Sequence, residues 1–247
     1  MKLFFAGLTD PGLLRANNQD AYYLDPEGRF FIVADGMGGH AGGQEASRLA
    51  TDVMSAYLNQ HWCLAQSSKE LLHSAFLSAN EAILKDQNHH PERSDMGTTA
   101  VVLMFRDEEV WSAHVGDSRL YRLRGAKLEQ LTEDHTWVAR AIREGELTPE
   151  QSKSHPWRHV LSQCLGREDL LQISLQMVTA QAGDRFLLCS DGLTEELSDQ
   201  VIAGQLKSIR ACEAAVSTLV EAAKERGGRD NITVVVLYLQ GELSSAS

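Results

Sequence analysis

Two helical stripes follow one another between residues 34 and 98 with no strand pattern between them. Ala46, Leu49, Ala50, Val53, Met54, Tyr57 and Leu58 recur at the i, i+3, i+4, i+7 spacing of one helix face, and Leu72, Ala75, Phe76, Ala79 and Ile83 form the second stripe. A parallel unit needs a strand after each helix, so paired helices exclude a strictly alternating parallel fold. Short runs rich in branched and aromatic residues surround the pair, at 2–7, 21–25, 30–34, 98–105, 110–115, 119–124, 186–190 and 232–239. A third stripe, Cys212, Ala215, Val216, Leu219, Val220 and Ala223, is stopped by Gly227-Gly228. The pattern predicts an α+β sandwich of largely antiparallel sheets.

Residues 132–165 break this rhythm. They are polar, lack a strand pattern, and carry Thr148-Pro149-Glu150-Gln151, a capping box with proline at the first helical position. One or two short helices are expected there, as an excursion between strands. No repeat and no Pro- or Ser-rich linker divides the 247 residues, so a single domain over 1–247 is expected. At 43% hydrophobic the chain can bury a large core, and 34 acidic against 23 basic residues leave −11, which excludes a broad nucleic-acid surface. Cys63, Cys164, Cys189 and Cys212 show no paired spacing, which fits a reducing compartment. No apolar stretch reaches the roughly 18 residues of a membrane span, and residues 3–8 are too brief for a signal-peptide core. A cytoplasmic protein without membrane partners is the expectation.

Aspartates recur where apolar runs end. Asp35 follows Phe31-Ile32-Val33-Ala34, Asp117 follows Val115-Gly116, Asp191 follows Leu187-Leu188-Cys189-Ser190, and Asp230 precedes Asn231 and the last run. Each alone is an ordinary turn former. Together with Asp20 they suggest strand ends converging on one place, where clustered carboxylates would need a divalent cation, Mg²⁺ or Mn²⁺ by their hard oxygens. The glycine-rich stretch Gly36–Gly43 superficially meets a dinucleotide fingerprint. Asp35 would drive a carboxylate at the pyrophosphate, and a second helix stands where a strand should follow, so that reading is set aside.

Six segments, taken in order, resemble the motifs of the metal-dependent type-2C (PPM) serine/threonine protein phosphatases: Arg15-Ala-Asn-Asn-Gln-Asp20, Asp35-Gly-Met-Gly-Gly-His40-Ala-Gly-Gly, Met96-Gly-Thr-Thr99, His114-Val-Gly-Asp-Ser-Arg119, Ser190-Asp-Gly192 and Gly228-Arg-Asp-Asn-Ile-Thr233. Within the family the chain is similar to small bacterial members, and the stretch from His155 to Asp169 most resembles the cyanobacterial phosphatase of the phosphorylated PII signalling protein. The resemblance implies a four-layer α/β/β/α sandwich with two central antiparallel sheets flanked by helix pairs, and residues 132–165 as a flap. It implies two metals, Mg²⁺ or Mn²⁺, bridged by Asp35, with the Gly36 carbonyl on the second, Asp191 and Asp230 on the first, and Asp20 acting through water. A third ion would lie near Asp117, shared with Asp191. Phosphorylated proteins, PII among them, would be the substrates of a monomer.

Arg15 would grip the phosphate with paired N–H donors. The animal-type pattern has a histidine directly after Asp-Gly, but Met37 stands there, leaving His40 or a metal-bound water to protonate the leaving group. Thr98, Thr99, Ser118 and Asn231 are expected to orient the aspartates. His89-His90 reads as a solvated connection, and His155 and His159, without ligand spacing, as local packing. A catalytically dead binding module and a metal phosphoesterase acting on small molecules or nucleic acids are the competing readings.

Overall fold

The computed structural model describes residues 2–39, 42–153, 155–170 and 172–241. Three strands, β1 (Lys2–Asp10), β2 (Asp20–Leu24) and β3 (Phe30–Met37), precede the helices α1 (Gly42–His61) and α2 (Ser68–His89). Strands β4 (Gly97–Thr98), β5 (Ala100–Arg106), β6 (Glu109–Val115), β7 (Arg119–Arg124) and β8 (Lys127–Gln130) follow. Short helices α3 (Trp137–Arg143) and α4 (Pro149–Lys153) lead to β9 (Ser174–Met177) and β10 (Arg185–Cys189). The chain then forms α5 (Asp191–Thr194), α6 (Asp199–Ser208), α7 (Cys212–Glu225) and β11 (Ile232–Gln240).

The strands form two sheets, β1-β11-β10-β7-β8 and β2-β3-β5-β6-β9, with β4 beside β3, and the registered pairs are antiparallel. Their central strands are apolar without interruption because both faces are covered. In β3, Phe30, Ile32 and Ala34 pack against α1 and α2, while Phe31 and Val33 face the other sheet. In β11, Ile232, Val234 and Val236 pack against α7, and Val235, Leu237 and Leu239 fill the space between sheets. Helices, sheet, sheet and helices therefore stack in that order around three apolar layers.

The helical stripes lie where the periodicity places them. Leu72, Ala75, Phe76, Ala79 and Ile83 are all buried, and α2 opens with a reciprocal cap between Ser67 and Glu70. Thr148 and Gln151 cap α4 in the same way, the Thr148 N–H donating to Gln151 Oε1 at 2.8 Å. Two strands, β8 and β9, and two helices, α6 and the single turn α5, have no counterpart in the sequence reading. Strands β8 and β9 are the last in their sheets, four residues each and polar, so only one flank is paired and no apolar run marks them. Helix α6 buries just Ile202 and Leu206.

Candidate functional site

The alternation that sends Phe31 and Val33 between the sheets continues to Asp35, beyond the last apolar contact. Asp20 lies directly opposite Asp35 in the β2–β3 register, on the same face. From the other sheet, the hydroxyls of Ser190 and Thr233 each donate to Asp20 Oδ2 at 2.7 Å. The inter-sheet layer thus changes, at one end of the sandwich, from hydrocarbon to a buried polar seam.

Above that seam opens a cleft of about 290 Å³ lined by Asp35, Gly36, Asp117, Asp191, Asp230 and Arg15. Asp117 stands in the turn between β6 and β7, Asp191 begins α5, and Asp230 precedes β11. Arg15 rises from the β1–β2 loop and donates from Nη2 to Asp230 Oδ2 at 2.6 Å. Gly36 admits no side chain, because a Cβ would collide with the carbonyls of Gly43 and Gln19.

The expected supporting residues hold backbone more than carboxylate. Thr98 Oγ1 donates to the Asp35 carbonyl at 2.9 Å, and Thr99 Oγ1 accepts from the Asp35 N–H at 3.0 Å and pairs with Ser118 Oγ at 2.7 Å. Asn231 staples the loop that carries Arg15: its Oδ1 accepts from the Gln19 N–H at 2.8 Å, and its Nδ2 donates to the Pro11 and Asn17 carbonyls at 3.0 Å each. His40 lies outside the described residues.

His159 is not a packing residue of the flap. It lines the cleft, its Nδ1 is 2.6 Å from Glu195 Oε1, and ligand atoms of His159, Asp191 and Glu195 all fall within 4.8 Å of one another. No spacing could reveal this, since Glu195 comes from a distant stretch just beyond α5. Leu161 and Met37 complete the cleft wall.

The electrostatics are those of carboxylates held against their preference. Burial, then the charges of Asp20, Asp191 and Asp117, drives the Asp35 carboxyl well above its ordinary range. Burial and the charge of Asp117 do the same for Asp191. Asp117 is pushed up to about 7 by burial and Asp134, and Asp20 to about 6 by burial against the two hydroxyl bonds. Asp20 Oδ1 is buried and has no hydrogen-bond partner among the described residues. Hard oxygen donors, mutual repulsion and one orphaned buried oxygen fit divalent cations of the Mg²⁺ or Mn²⁺ type.

Residues 15–232 match the family model described as "Protein phosphatase 2C". The chain is 39% identical over 237 residues to the serine/threonine protein phosphatase PstP of Mycobacterium tuberculosis, covering 95% of this chain and 44% of that protein, so it spans less than half of that relative's length. It is 37% identical over 239 residues to the protein phosphatase PhpP of Streptococcus pneumoniae, covering 95% of this chain and 97% of PhpP. The crystal structure of M. tuberculosis PstP superposes with a TM-score of 0.88 over 97% of this chain and 99% of that one, at 39% identity. A structure of the PstP catalytic domain in complex with two manganese ions, 36% identical, matches with a TM-score of 0.85 over 97% and 99% of the two chains. The chain belongs to the protein phosphatase 2C family.

Proposed function

We propose that the chain is a metal-dependent phosphatase that removes phosphate from phosphoserine and phosphothreonine in proteins. The observation that carries this reading is the convergence of Asp35, Asp117, Asp191 and Asp230, from both sheets, on one cleft whose rim bears Arg15. Asp35 and the Gly36 carbonyl would hold two cations together with Asp191 and Asp230, with Asp20 acting from below; Asp117 and Asp191 would share a third. When bound, such ions activate a water for in-line attack and neutralise phosphoryl oxygens. The chain's own residues do the rest. Arg15, anchored on Asp230, presents its remaining N–H donors to the phosphate, and the Asn231 staple fixes the loop from which it reaches. Thr98 and Thr99 clamp Asp35 on both sides of its backbone, so that its carboxylate is aimed before substrate arrives. The proton that the leaving alkoxide requires would come from His40 or from a water at the metal site.

A phosphorylated PII-type protein is the particular substrate we propose, supported by the His155–Asp169 stretch, for a single-domain, monomeric, cytoplasmic enzyme with residues 132–165 as the flap. The test is hydrolysis of phosphopeptides and of phosphorylated PII with Mn²⁺ or Mg²⁺. Asp35→Ala and Asp191→Ala are each expected to abolish metal-dependent turnover, a loss of at least ~10³-fold. Full activity in either variant would overturn the metal assignment, and equal rates on PII and unrelated phosphoproteins would overturn the PII assignment.

A further inference from the structure

His135 ties together three parts of the molecule that the reaction proposed above would need in fixed relation. The turn bearing Asp117 is held by a reciprocal pair of bonds: the Gly116 N–H donates to His135 Nδ1 at 3.2 Å, and the His135 N–H donates to the Gly116 carbonyl at 3.0 Å. Gly116 itself has φ +101°, and a Cβ there would strike Thr99, so this turn has little freedom to find another arrangement. On its far side the ring places Nε2 3.0 Å from Ser174 Oγ at the start of β9. The His135 carbonyl accepts from the Ser162 N–H at 2.8 Å, next to Leu161 on the cleft wall. The ring also stacks on His114, centroids 4.6 Å apart, and His114 Nε2 in turn donates to the Glu133 carbonyl at 2.8 Å.

An imidazole nitrogen that accepts an amide proton must be unprotonated, so Nε2 carries the hydrogen and donates to Ser174. Burial favours that neutral state by lowering the ring's proton affinity. One uncharged ring thereby links the backbone directly before Asp117 to the edge of the sheet, while the main chain of the same residue holds Ser162 near the far end of the 132–165 segment.

We infer that His135 is a positioning residue, whose Nδ1 holds Asp117 in register with the cleft-lining end of the 132–165 segment. This inference rests on the proposed role of Asp117. Asparagine can place its Oδ1 close to where Nδ1 accepts, whereas alanine cannot, so the pair His135→Asn and His135→Ala separates the acceptor from the bulk of the ring. The metal-free protein gives the first readout: exchange of the Gly116 amide proton, followed by NMR, should speed up about tenfold or more in His135→Ala and return near the parent rate in His135→Asn. With Mn²⁺, His135→Ala should lose about 10- to 100-fold in kcat on a small aryl phosphate with KM within about threefold, while His135→Asn recovers most of it. A parent-like Gly116 amide and kcat in His135→Ala would overturn the inference, as would an asparagine variant as impaired as alanine at equal thermal stability. If the parent chain hydrolyses no phosphoester, the reading of its function fails. The inference is then decided separately by Gly116 exchange and by Mn²⁺ calorimetry, in which alanine weakens binding and asparagine restores it.

Discussion

Asp20 has one oxygen taken by two hydroxyls and the other buried without a partner among the described residues. Asparagine can keep both hydroxyl bonds through its carbonyl oxygen and turn an N–H₂ toward Asp35, across the strand pair. Removing a buried charge from beside a second one relieves repulsion, but removes an oxygen suited to the site's cations. Asp20→Asn should therefore unfold at a higher temperature than the parent without metal, and gain less from added Mn²⁺. Calorimetric scans with chelator and with Mn²⁺ check both halves, and a variant stabilised equally by Mn²⁺ would show that Asp20 does not serve the metals. The carboxylates were legible at this scale because Asp35, Asp117 and Asp191 stand where apolar runs end and Asp20 and Asp230 just before others begin. His159 and His135 were not, since what gives each a role is a partner far away in sequence: Glu195 for one, Gly116 and Ser174 for the other.

At the scale of elements, the paired stripes of α1 and α2 and the reciprocal cap of α4 follow directly from residue spacing, because their determinants are local. Strands β8 and β9 could not be read this way: Lys127–Gln130 and Ser174–Met177 are strands by virtue of the neighbours they edge, β7 and β6. The segment 132–165 is fastened at its base, where Trp137 donates to the Val160 carbonyl at 2.8 Å and Thr136 bridges Leu161, while residues 144–152 beyond α3 are largely exposed. Substitutions within 140–153 should therefore alter kcat/KM on a phosphoprotein more than on a small aryl phosphate, by about tenfold in ratio. Parallel kinetics on the two substrates measure this, and equal effects would remove the segment from substrate recognition.

For the molecule as a whole, the cleft gives the metal-free protein a pH dependence of definite sign. A carboxyl whose folded-state pKa is raised contributes stability that is complete below its unfolded value of about 4 and lost as pH rises through the folded value. Asp20 at about 6 and Asp117 at about 7 place the loss between about pH 4 and 8, and Asp35 and Asp191, raised by the same burial and mutual repulsion, add to it with the same sign. His135, lowered by burial to about 4, acts oppositely, but its gain is complete by about pH 7. From pH 7 to about pH 8 the carboxylates act alone. The unfolding temperature of chelated protein should fall over that interval, and saturating Mn²⁺ should remove most of the fall. A temperature that stays level or rises in chelator would contradict the electrostatics described above.

The first strand and the last are neighbours: β1 pairs with β11 along its whole length, Lys2 opposite Gln240 and Asp10 opposite Ile232. On a ribosome, β1 therefore emerges long before the segment it must pair with. Until that segment follows, Arg15 has no Asp230 to rest on, Gln19 has no Asn231 side chain to receive its amide, and Asp20 lacks the Thr233 hydroxyl. The cleft is thus assembled only when the segment from Asp230 through β11 is present, and a nascent chain or one cut before that segment carries the aspartates from 20 to 191 without the arrangement that makes them a site.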